Sequence, residues 1–165
     1  MNLIEIISRR TEYRPDGVLV WTFLPRRKER IGMDAGSISS TDGYVYIKSE
    51  GKRVGAHRVV FFKHHGYVPV EVDHINRIRS DNRIENLRDA ITHNNNCGNQ
   101  SHQTGRSSKY KGVCWDKNRN KWIVAIKVNR KAKYLGRYKN EEDAARAYNA
   151  AASIYFGEFA NINEV

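Results

Sequence analysis

The chain has 165 residues, 39% of them hydrophobic and 28% charged, a composition that suits one average domain or two small ones and excludes a disordered chain. No apolar run approaches the roughly 20 residues needed to span a bilayer, and "MNLIEIISRR" has no small-residue cleavage site after its apolar stretch, so a reducing, cytoplasmic setting is expected. Lys and Arg number 29 against 18 acidic residues, a formal +11, which favours nucleic acid or another anionic surface as partner.

Residues 1–56 read as short strands and turns. "GVLVWTFL" is a strand from Val18 to Leu24, and "TDGYVYIKSEGKRVGAHRVVFF" gives a strand, a tight turn at Glu50-Gly51, a second strand and a helix from about His57 to His64. Between them "PRRKER" (25–30) is a basic loop, either a solvated turn or a phosphate contact.

"EVDHIN" reads as a strand running into Asp73-His74, and "RIENLR" as its hairpin partner. Thr92 then caps a helix carrying Asn94, Asn95, Asn96 and Asn99. Asn82 and Asn86, in the hairpin, are either turn-making or site-building. Folded on itself, this segment can bring Asp73 and His74 beside a helix asparagine, which suits phosphodiester hydrolysis. A hard cation takes oxygen from carboxylate and amide, and a neutral His74 can take a proton from water. Strict strand alternation opposes this, because it sends Asp73 and His74 to opposite faces. The site therefore requires a distorted strand end.

"HRVVFF…VDHINRIRSDNRIENLRDAITHNNNCGN" resembles the HNH endonucleases, with the likeness running over most of residues 30–100. The resemblance implies a ββα-metal motif with Asp73 as metal ligand, His74 as general base and Asn86 as a structural residue bonding across the loop. The second ligand is Asn96 when counted from Thr92 and Asn99, or Asn95 when counted from Asp73. Mg²⁺ is the expected metal, with Mn²⁺ or Zn²⁺ open. Arg77 stands where relatives commonly have Gly. His64, His65, His93 and His102 are expected in surface or packing roles.

"SHQTGRSS" (101–108) is a polar linker. From Ser101 to Lys139 there are 12 Lys or Arg residues and one acid, Asp116. Three short strands are expected, the middle one turning Trp122, Val124, Ile126 and Val128 to one side and Lys127 to the other. A helix over "NEEDAARAYNAAASIYF" follows, capped by Asn140 with Asp143, its small alanine face packing on the sheet and Tyr148 and Tyr155 filling gaps. Trp115 and Trp122 lean to the core by parity. Lys117, Arg119, Lys121 and Arg130, on strands and turns, are candidate phosphate contacts. Cys97 and Cys114 lack metal-ribbon spacing, and no disulfide is expected.

"YKGVCWDKNRNKWIVAIKVNRKAKYLGRYKNEEDAARAYNAAASIYFGEFANIN" resembles the APETALA2-type DNA-binding domain. In that family the open sheet face lies in the major groove, which implies groove contacts from Lys111, Lys127 and Tyr134. Cys114, Asp116, Ala125 and Ala132 replace that family's Arg or Glu readers, so altered or weaker base specificity is expected.

The fold expected is thus α+β: an HNH module with an N-terminal β-rich segment over 1–100, the linker, and a three-stranded antiparallel sheet with one packed helix over 109–165. The function expected is a metal-dependent endonuclease acting on double-stranded DNA, of the homing or phage and mobile-element kind. It would act as a monomer that nicks or a homodimer that cuts both strands, with no membrane and no obligate protein partner. The alternatives are a non-catalytic DNA-binding regulator and an RNA-binding accessory protein.

Overall fold

The chain begins as a helix where strands and turns were expected. In the computed structural model, which describes residues 1–90 and 107–165, α1 spans Leu3–Arg9. The Asn2 side chain accepts from the Glu5 amide at 2.9 Å, and the Glu5 carboxylate accepts from the Asn2 amide at 3.1 Å. This reciprocal cap satisfies two amides that the first turn leaves without helical partners.

β1 (Thr11–Tyr13) and β2 (Leu19–Trp21) form an antiparallel pair, so the strand expected over Val18–Leu24 is shorter. β3 (Ser37–Ile38), β4 (Val45–Ser49) and β5 (Lys52–Gly55) form a second sheet in that order. Glu50 and Gly51 join β4 to β5, both with positive φ (54° and 74°), the conformation whose twist suits a two-residue hairpin.

α2 (Ala56–His65) closes on Gly66 at φ 77°, a left-handed cap that glycine adopts without strain. Its Val59, Val60 and Phe61 are buried with Ile7, Leu19, Trp21, Ile47, Val72 and Leu87, each fully buried apolar side chain contributing about 1.5–3 kcal/mol. Arg58 donates to the carbonyls of Pro69 and Val70 at 3.0 and 3.1 Å, tying α2 to the start of β6 (Glu71–His74). β6 pairs antiparallel with β7 (Leu87–Ala90). "RIENLR" is therefore strand only from Leu87, since Ile84–Asn86 form a 3₁₀ turn. His64 and His65 sit in packing roles, His64 against Tyr13 and His65 against Phe61.

The chain divides into units Met1–Ala90 and Ile91–Val165. The expected helix from Thr92, with His93, Asn94, Asn95, Asn96, Cys97 and Asn99, and also His102, lies outside the described residues. In the second unit β8 (Val113–Asp116), β9 (Lys121–Val128) and β10 (Lys131–Tyr138) form a sheet in the order β10-β9-β8, followed by α3 (Glu141–Phe156). Ala144, Ala145, Tyr148, Ala151 and Ala152 of α3 are buried, as are Val113, Val124 and Ile126 of the sheet. The small helix face permits the close approach; a Cβ at Gly112 would overlap the Tyr148 ring.

Three details depart from the sequence reading. Asn140 caps α3 by backbone position, but its amide donates to Asp143 at 3.4 Å and accepts no helix amide. Tyr155 is 41% exposed with Lys133 over its ring, so it fills no gap. Ser108, placed in the linker, is buried and bonds Glu141 and the Tyr110 amide. The described residues make a mixed α+β protein of small antiparallel sheets and three α-helices. No described helix is long and apolar enough to cross a membrane.

Candidate active site

Asp73 and His74 end β6, both buried, at 8% and 4% exposure. The ladder runs through them undistorted, with Asp73 opposite Arg88 and His74 opposite Leu87. Alternation is therefore kept, and the distorted strand end expected from the sequence is absent. Asp73 shares a face with Arg88, which places Nε and Nη2 at 2.9 and 2.8 Å from Asp73 Oδ2. His74 shares the other face with Val72 and Leu87, toward α2.

His74 Nε2 lies 3.1 Å from Asn82 Oδ1. An amide oxygen only accepts, so Nε2 carries the proton and the lone pair of the neutral ring is on Nδ1. Burial is the largest influence on this ring and pulls its pKa down; the Asn82 bond and the charges of Asp73 and Asp81 act against it. Tyr44 and His57 pack on it, with ring centroids at 5.7 and 5.3 Å. His57 is held neutral, its pKa pushed down to about 3 by burial and then by the charges of His74 and Arg58. Its Nδ1 is buried with no hydrogen-bond partner among the described residues. A methyl at Gly55 would overlap the His57 ring, so glycine there lets His57 turn back over its own strand.

The loop between β6 and β7 is braced from inside. Asn86 Oδ1 accepts from the Asn76 amide at 2.9 Å, Asn86 Nδ2 donates to Asp81 O at 2.8 Å, and the Ile75 amide donates to Asn86 O at 2.9 Å. Asp81 accepts from Asn76 Nδ2 at 2.7 Å and from Arg83 Nε at 2.8 Å. The Arg83 guanidinium holds the Asp81 carboxyl well below the usual range. Arg77 has φ 67°, a left-handed backbone that costs an L-residue about 1 kcal/mol. Arg77→Gly is expected to raise stability by about 0.5–1 kcal/mol, read as a higher melting temperature. A lower one would show that the arginine side chain contributes more than its backbone strain removes.

In the second unit, the pairing Tyr134↔Ala125 and the strand parity of β9 put Lys121, Lys127 and Tyr134 on the face opposite Val124 and Ile126. Cys114, Asp116, Ala125 and Ala132 pair onto that same open face. Lys117, Arg119 and Arg130 are exposed in the flanking turns. Lys111 lies apart from them, its ammonium 5.9 Å from the centroid of the Tyr148 ring on the helix side. Trp115 and Trp122 pair edge to face at 4.9 Å, half-buried rather than in the core. Arg137 joins the open face although simple alternation from Tyr134 excludes it. A register shift between Tyr134 and Gly136 brings it opposite Ile123, where it bonds Asp116 at 3.3 Å.

Residues 54–98 match the family model described as HNH endonuclease. The matched span contains His57, Asp73, His74, Asn82 and Asn86, and it marks this part of the chain as a nuclease-type domain. No curated protein matches the chain. HNH nucleases typically use a divalent metal. The described residues hold no group of three or more His, Cys, Asp and Glu placed for a metal. Mg²⁺ needs none, being commonly held by one or two carboxylates, substrate phosphate and water. Asp73 is a buried hard-oxygen donor of that kind, but Arg88 holds its carboxylate on the face of β6 opposite His74, so among the described residues the two side chains do not share one face.

Proposed function

We propose that the chain is a metal-dependent endonuclease that hydrolyses phosphodiester bonds in duplex DNA, with His74 as general base. The observation that carries this reading is the Asn82–His74 bond. It directs the Nδ1 lone pair away from Asn82, while burial keeps the ring in its basic, neutral form. His74 takes the proton from the attacking water, and the imidazolium is then stabilised by the nearby charges of Asp73 and Asp81. Tyr44 and His57 hold the ring in place, and the neutrality of His57 spares that imidazolium a charged neighbour. Asn86 keeps the loop in the shape that presents Asn82.

Asp73 would hold the divalent cation, Mg²⁺ before Mn²⁺, together with Asn96 or alternatively Asn95. When bound, the cation stabilises charge on the phosphate and the leaving oxygen.

The second unit supplies duplex binding. Lys121, Lys127 and Tyr134 on its open face, and Lys117, Arg119 and Arg130 at its turns, suit a sheet lying in a major groove as the APETALA2-type likeness implies. Joined to the nuclease unit, it raises the effective concentration of the site on DNA. Such a pairing suits a homing, phage or other mobile-element enzyme.

Supercoiled plasmid tests the reading. Open-circle product is expected with Mg²⁺ and none with EDTA. A plasmid left intact in Mg²⁺ and in Mn²⁺, with salt-sensitive duplex binding retained, would instead make the protein a non-catalytic DNA-binding regulator.

A further inference from the structure

A basic cleft of about 770 Å³ opens in the first unit, lined by Arg10, Trp21, Arg26, Arg27, Arg30 and Lys48 among others. Its volume falls in the range of small-molecule sites and is large for a single inorganic ion. Glu50, its acidic wall residue, is paired with Arg10 at 3.3 Å. Arg26, Arg27, Arg30 and Lys48 make no ion pair among the described residues. Lys48 also faces Arg53 directly across β4 and β5, a like-charge pairing that disfavours the hairpin and that an anion would relieve. Trp21 is 3% exposed and its indole N–H has no acceptor among the described residues. Buried donors left in that state are rare. The unpaired guanidinium groups at the cleft ask for an oxyanion, while the Trp21 N–H itself is closed off from the cleft surface.

The cleft is connected to the candidate active site by one strand face. Tyr44, which packs on His74, precedes β4 and meets the Tyr46 ring edge-on at 6.3 Å, and Tyr46 and Lys48 share one face of β4. Arg79 stacks over Tyr44 at 5.0 Å and Arg53 over Tyr46 at 4.5 Å, so cations and aromatic rings alternate along the way. The four residue steps from Tyr44 to Lys48 span at most about 14 Å, about four base-pair steps of duplex.

We propose that this cleft binds backbone phosphates of the same DNA that reaches His74, about four base pairs from the scissile bond. The proposal rests on the nuclease reading for its substrate. Free phosphate or a nucleotide would offer the same chemistry, and the test separates them.

The full chain carrying Arg26→Ala with Lys48→Ala is compared with wild type for duplex binding at several salt concentrations. The slope of log affinity against log salt is expected to fall by about 0.9 for each phosphate that the variant no longer neutralises. Arg9→Ala with Arg146→Ala, which removes the same charge outside the cleft, should leave it unchanged. An equal fall in both doubles would reduce the effect to net charge and overturn the proposal. Inorganic phosphate, pyrophosphate and a nucleoside triphosphate are titrated in parallel by calorimetry. Saturable binding of one of them, abolished in the cleft variant while its duplex slope stays at the wild-type value, would make this a free-anion site. An unchanged duplex slope with no anion binding would overturn the cleft altogether. The plasmid assay keeps the two readings apart. Cleavage with an unchanged slope leaves the nuclease without the cleft, and a reduced slope with no cleavage leaves a DNA-binding cleft without the nuclease.

Discussion

His74→Ala is expected to lower metal-dependent cleavage of plasmid DNA by about 10²–10⁴-fold, the contribution of a well-placed general base, while duplex affinity in a gel shift stays near wild type. The expectation follows from where the ring sits. Tyr44 and His57 pack on it and Asn82 bonds its Nε2, so the ring is held in one position with one tautomer. Because His74 is 4% exposed, alanine also leaves a cavity, and His74→Gln provides a fuller side chain that lacks an imidazole lone pair. Both variants should be slow while His74→Gln melts closer to wild type. Cleavage by folded His74→Gln within a few-fold of wild type would remove His74 from the chemistry. Asn82→Ala makes the finer test. It frees the tautomer without removing the base, so a smaller loss than for His74→Ala is expected.

Several elements were legible because local physics decides them. The Glu50-Gly51 hairpin follows from turn chemistry, the helix expected over about His57 to His64 is α2, and α3 follows from its acidic first turn and alanine face. The sheet of the second unit was readable from the two-residue period of β9. α1 was missed although its signal, Asn2 followed three residues later by Glu5, was present; seven residues with one apolar face read as easily as strand. Arg137 could not be assigned to the open face because the shift after Tyr134 that places it there lies in the pairing, not in the pattern. Asp73 and His74 stood out as a pair from the start. That alternation is kept, with Asp73 on Arg88 and His74 on Asn82, depends on the register of the β6–β7 hairpin and the shape of its loop, which the residue pattern does not show. His57 was read as a helix start and as part of the HNH likeness but given no role, and its packing on His74 is a contact between α2 and β6 that the pattern does not register.

Gly17→Ala is expected to cost about 2–4 kcal/mol of stability in the first unit and to slow cleavage by the protein that remains folded. Gly17 turns the chain between β1 and β2 at φ 88°, which alone costs alanine about 1 kcal/mol. A Cβ there would stand 2.5 Å from Arg83 N and 2.7 Å from Asn82 C. Both are backbone atoms, so neither can swing aside, and overpacking of this kind typically costs about 1–3 kcal/mol. The hairpin is also tied to the loop, since Tyr13 Oη accepts from the Ile84 amide at 3.1 Å. The strain therefore passes to Asn82, whose 3.1 Å bond sets the His74 tautomer, and misplacement by about 1 Å is enough to cost on the order of 10²-fold in rate. Gly32→Ala is the control, with φ 86° and nothing within 4 Å of its Cβ. It should show only the backbone penalty and cleave as wild type does. Equal melting temperatures and equal rates for the two variants would mean that the β1–β2 turn does not position the loop, and Asn82 would then owe its place to the Asn86 and Asp81 bonds alone.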